Sequence, residues 1–169
     1  MSIILQAFWQ ILLLRKSPET IPHSQLLLSI LLVLHLLLGV GAGLLNLSAD
    51  MALIQAAIGT LLLVGFSYLL LTLYGLGNRQ VQAMTAMAGC EFIIGLLSLP
   101  VTAWFLAAGK DQKALPALLS LLVLGWYVAV VAHIWRHALG VPKWLGYLYA
   151  IVYVLVSINL TSVIQAPEG

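Results

Sequence analysis

The chain has 169 residues, 63% of them hydrophobic and only 7% charged, with a formal net charge of +2. A soluble domain carries about 25% charged residues and needs far more polar surface to cover its core, so a water-soluble globule is excluded and the small charge gives no footprint for nucleic acid. The single cysteine, Cys90, excludes an internal disulfide and a cysteine-rich metal site.

The first apolar run, Ile3 to Leu14, is too short to cross a bilayer, and its positive charges, Arg15 and Lys16, follow it. A secretory leader places such charges in front, so no cleavable leader is expected. Ser2, Gln6 and Gln10 recur every four residues, which puts them in one narrow polar stripe of a helix. The pattern predicts an interfacial helix over residues 1–14, lying in the headgroup boundary with the stripe toward water. The alternative is a short sixth helix packed on the bundle. Pro18 and Pro22 then break the segment.

A helix needs about 20 mainly apolar residues to cross about 30 Å of hydrocarbon. Five windows meet this requirement: Gln25–Leu47, Ala52–Leu76, Val81–Gly109, Ala114–Arg136 and Leu145–Ile164. The third holds Gln82, Glu91 and Pro100, and the proline is expected to kink it. The connections are a few residues long, so sequential helices are antiparallel neighbours. The fold class is therefore all-α: one polytopic transmembrane domain of five spans preceded by the short N-terminal helix.

Orientation follows from Lys and Arg in short loops. Arg15, Lys16, Arg79, Arg136 and Lys143 fall on one side, Lys110 and Lys113 on the other. The excess predicts a cytoplasmic N-terminus and an extracytoplasmic C-terminus, in a bacterial inner membrane. Trp9, Trp135 and Trp144 then fall near the cytoplasmic interface, where indoles prefer to sit.

Three stretches resemble the Yip1-type family of small five-helix membrane proteins, in its bacterial branch. They are Leu14-Arg15-Lys16-Ser17-Pro18-Glu19 with Ile21-Pro22-His23-Ser24 ahead of the first span, Ala86-Met87-Ala88-Gly89-Cys90 with Leu99-Pro100 in the third, and Ala132 to Val141 at the end of the fourth. The resemblance implies a five-helix bundle with a cytoplasmic N-terminus. Eukaryotic relatives are scaffolds of vesicle traffic that bind small GTPases through a longer N-terminal region. Here only about 24 residues precede the first span, so that role does not carry over.

Glu91 is the most informative residue. A carboxylate near the middle of a span costs roughly 2.5–3.5 kcal/mol on insertion scales, so it must be paired, protonated or next to water. His35 lies at the same count from the same end of its span, and Tyr68, Trp126 and Tyr153 fall near that depth in the other three, giving a candidate intramembrane polar layer. Such a group serves a proton or ion relay, or holds helices together by hydrogen bonding; direct contact between Glu91 and His35 is an open expectation. His133 and His137 share a helix face with Arg136 between them. No further ligand completes a metal site, and His35 and His133 differ by about 10 Å in depth at the helical rise, which argues against a bis-histidine haem. No metal or other cofactor is expected. With Lys143 and Trp144 the cluster suits anionic lipid headgroups. Gly39 with Gly43, and Ala86 with Cys90, are small-xxx-small pairs that let helices approach closely in lipid.

Motifs for nucleotide binding, nucleophilic catalysis and zinc hydrolysis are absent, so no enzymatic activity is expected. The composition points first to an accessory or scaffold subunit, acting through lipid contacts and through another membrane protein or a second copy. The alternative is a small transporter or channel-like protein using Glu91 and His35.

Overall fold

The computed structural model describes residues 3–165. Its architecture is all-α, with helices α1 (Ile3–Leu12), α2 (Gln25–Gly43), α3 (Ala49–Leu73), α4 (Gln80–Ala107), α5 (Ala114–Leu139) and α6 (Lys143–Gln165). Five of them, α2 to α6, are long and apolar enough to cross a membrane. Each boundary lies within four residues of the expected span. Successive helices alternate in direction, so one end of the bundle carries the N-terminal strap (residues 13–24) and the α3–α4 and α5–α6 connections. We call it the strap end, and the other the far end.

Local chemistry sets the helix limits. Ser24 caps α2, its hydroxyl accepting from the Leu27 N–H at 3.2 Å. α3 closes with Gly75 in the left-handed region, the Leu76 N–H reaching the Leu71 carbonyl and the Gly75 N–H the Thr72 carbonyl, the paired bonds of a Schellman motif. α5 ends on Gly140, also left-handed. α1 closes by the same paired bonds, Arg15 N–H to Gln10 and Leu14 N–H to Ile11. Here the left-handed position belongs to Leu14, with φ 59°.

α4 is the central element. Every residue from Ala83 to Cys90 is buried, because small side chains there let the neighbouring helices close in. α2 and α5 flank α4, α3 packs on α2, and α6 packs on α5 and reaches α3. Between α2 and α3 the approach is a ladder of small residues in steps of four. Added Cβ atoms at Gly43 and Gly39 would meet the Ala52 and Ala56 methyls at 2.8 and 3.0 Å. α5 and α6 are equally close at Gly146, whose added Cβ would press on the Ala132 carbonyl.

The N-terminal helix differs from the interfacial expectation. α1 packs on the bundle against α4 and α5, burying Phe8, Ile11 and Leu12. Gly89 leaves a notch that the Phe8 ring fills, and a Cβ there would collide with that ring. The Trp126 indole N–H donates to the Leu12 carbonyl at 3.0 Å. The notch and this bond hold the apolar face of α1, so the bundle takes the place of lipid. Gln6 remains exposed and Gln10 is half-buried.

Candidate functional site

His35, Thr60, Glu91, Tyr127 and Tyr153 come from five different helices. At about 1.5 Å per residue they lie at one level, roughly 15–20 Å from the strap end. The small-residue ladder sets the first contact. One further step of four from Gly39 and Ala56 reaches His35 and Thr60, which form the polar rung, Nδ1 to Oγ1 3.1 Å. His35 Nε2 stands 3.0 Å from Glu91 Oε2, and the Tyr127 hydroxyl donates to Oε1 at 2.8 Å. The buried Tyr153 hydroxyl adjoins both Tyr127 and Glu91. Glu91 and His35 side chains are 9% and 17% exposed, so the pair is shielded and still reachable from one side.

The Thr60 hydroxyl lies within reach of both the Ala56 carbonyl, at 2.9 Å, and His35 Nδ1. The contact between Nε2 and Oε2 holds a proton between the two atoms, because two lone pairs would repel. Two arrangements satisfy every contact. With the Thr60 hydroxyl donating to Ala56, Nδ1–H donates to its oxygen and the His35–Glu91 pair carries no net charge, which suits Glu91 to this depth. With that hydroxyl turned to His35, Nδ1 accepts and Nε2–H faces the carboxylate. The two differ by one proton, and the Thr60 hydroxyl turns between them.

Toward the strap end the pair meets close-packed side chains, among them Met87, Val130, Ile134 and Trp135. Toward the far end α2, α4 and α5 separate around an open cleft of about 380 Å³, with Glu91, His35 and Tyr127 at its inner limit. Its wall is mostly aliphatic, with Ser98, Thr102 and Ser120 along it. Each of these hydroxyls donates to a carbonyl of its own helix, at 2.8, 3.1 and 2.8 Å, so what each turns to the cleft is acceptor capacity. Pro100 lies in this stretch of α4 and removes one backbone N–H from its ladder.

Of the expected polar layer, His35, Glu91 and Tyr153 come together. Tyr68 does not: it lies eight residues, about 12 Å, nearer the strap end than Thr60, and it is 56% exposed on the outer surface of α3, with Ser67 in the inward position. Trp126 also leaves the layer, turning its indole to α1 while Tyr127 faces Glu91. Counting from a helix end gives depth but not rotation, and neighbours along a helix point about 100° apart. Thr60 and Tyr127 are the members the sequence reading missed. The signal for Thr60 was the spacing Ala52, Ala56, Thr60, which continues the stripe facing Gly43, Gly39 and His35.

At the strap end His133, Arg136, His137 and Lys143 line one pocket of about 440 Å³ together with Arg15 and Lys16. Trp144 stands outside it, 66% exposed. Gly39 and Gly43 pack within the bundle against α3, and Ala86 and Cys90 are buried in its centre. Set against protein-family models, curated proteins and solved structures, the chain matches none.

Proposed function

We propose that the protein is a small proton-coupled carrier of the bacterial inner membrane, exchanging a proton on the His35–Glu91 pair for a small apolar molecule bearing one positive charge. The observation that carries this reading is the cleft ending on the hydrogen-bonded His35–Glu91 acid–base pair. Its aliphatic wall suits an apolar body, the single carboxyl suits one cation, and the volume falls within the range of small-molecule sites. An arriving cation takes over the charge balance of Glu91 and releases the shared proton; its departure lets the proton return. The hydrophobic packing beneath the pair keeps the two sides of the membrane from communicating through the site in this conformation. The excess of Lys and Arg at the strap end supports placing that end, and the N-terminus, in the cytoplasm. Kinship with the Yip1-type family is part of the proposal, supported by the five-span architecture and the small-residue run of α4.

Liposomes holding the full chain, a pH-sensitive dye and benzyltrimethylammonium provide the test. Wild type should move protons against the cation when either gradient is imposed. Glu91→Gln, which keeps a hydrogen-bonding partner for His35 but cannot release a proton, should abolish the exchange. Absence of exchange in wild type, with a membrane protein co-purifying in mild detergent, would reject the carrier reading and favour the accessory role.

A further inference from the structure

The strap-end pocket involves none of the residues of the carrier site, and its charge is unbalanced. Arg15 and Lys16 come from the strap, Arg136 from α5 and Lys143 from α6, so four fixed cations from three parts of the chain border one cavity. Among the described residues the carboxylate nearest to them is Glu19, within electrostatic reach of His137. Glu19 is already bonded to Arg79 at 3.0 Å. Of the other described carboxylates, Asp50 and Asp111 lie at the far end and Glu91 at mid-depth.

The pocket is also built rather than incidental. The His133 Nε2–H donates to the Lys16 carbonyl at 2.9 Å, fixing the strap on α5. The His133 and His137 rings meet edge to face at 4.4 Å. Leu14, on the pocket wall, takes the left-handed backbone that turns Arg15 and Lys16 over the cavity. A leucine in that conformation carries strain where glycine would carry none. Holding several cations together at the cost of backbone strain makes sense when an anion occupies the space between them.

We propose that this pocket binds the phosphate of an anionic membrane lipid. Guanidinium groups from two elements match phosphate oxygens, and the ammonium groups of Lys16 and Lys143 add charge. The lipid source follows from the apolar part of the wall, formed by Leu14, Ala129, Ala132 and the Tyr147 ring. Below it the outer face of α6 presents Leu148, Ile151 and Leu155, all exposed, as a track for acyl chains. Trp144, exposed at the same end, marks the headgroup level.

Native mass spectrometry of the full chain in detergent, titrated with phosphatidylglycerol, phosphatidylcholine or inorganic phosphate, tests this. Wild type should retain phosphatidylglycerol well above phosphatidylcholine. Each cation removed should weaken retention about fivefold, so Arg136→Gln with Lys143→Gln should lose about 25-fold. Lys110→Gln with Lys113→Gln, at the far end, should lose nothing. Millimolar inorganic phosphate that displaces the lipid would show a site for the phosphate group alone and overturn the lipid assignment. Equal retention of the two lipids by wild type, or equal loss in the far-end variant, would overturn the site itself.

Discussion

The two halves of α4 behave as different materials. From Ala83 to Cys90 every position is buried, and the helix is surrounded by α1, α2, α3 and α5. Beyond Glu91 the same helix is half-exposed, carries Pro100, and borders the cleft. The boundary between the two is the His35–Glu91–Tyr127 cluster. Small side chains on the strap side of that boundary let α1, α2, α3 and α5 close on α4; beyond it α2, α4 and α5 border the cleft, whose wall includes Gly39, Ala42, Gly95 and Ser98 among its aliphatic side chains. In lipid there is no hydrophobic gain from closing a gap between helices, so the fit of facing side chains decides whether a stretch of bundle is solid or hollow. One helix thus supplies a sealed half and an open half, with its titratable group at the junction.

The sharpest way to break this contrast is chemical access. Native Cys90, 1% exposed, should resist a polar maleimide applied from either side, while Ser98→Cys in a Cys90→Ala background should react from the far end faster by orders of magnitude. Equal rates would dissolve the distinction. Next in size is the notch. Gly89→Leu should displace Phe8 and cost about 3 kcal/mol, read by thermal unfolding in detergent, and Phe8→Ala should recover part of it in the double variant. At the junction, Tyr127→Phe removes one hydrogen bond to a carboxyl and should cost about 1.5 kcal/mol, read in the same unfolding assay. The smallest effect has the opposite sign: Leu14→Gly relieves the left-handed strain and should stabilise by about 1 kcal/mol.

Much of this was legible beforehand. Five spans follow from length and apolarity, and the shared depth of Glu91 and His35 follows from counting along their spans; their direct contact stays open at that level, because the sequence does not say that the first and third spans are neighbours. Rotation was not legible, which is why Trp126 stands outside the cluster and Tyr127 within it; for Tyr68 the depth count also failed, because α3 ends at Leu73, three residues before the expected boundary, and the cluster level falls at Thr60. A surface helix in water advertises its inner face by polar residues on the outer one. A span in lipid is apolar all round, so that cue is missing. Only the steps of four in small residues carry it; they marked α2 at Gly39 and Gly43, while the matching steps on α3 went unread and α5 has none that faces the cluster. The docking of α1 was the second of two expectations for a related reason: the notch at Gly89 depends on a tertiary approach that no local pattern encodes. The basic pocket was foreseen as a cluster on α5, but the contribution of Arg15 and Lys16 depends on how the strap folds back.

The docking of α1 has a consequence for biosynthesis. Trp126, which bonds Leu12, follows it by 114 residues. At ribosomal rates of 5–20 residues per second the N-terminal helix emerges about 6–23 s before the last piece of its berth exists. During that interval its polar stripe and apolar face suit the membrane surface, the location expected from its sequence. Docking is then the final clasp of assembly, so a ribosome-stalled chain ending before α5 should expose Phe8 to lipid-phase quenchers, and the completed chain should hide it.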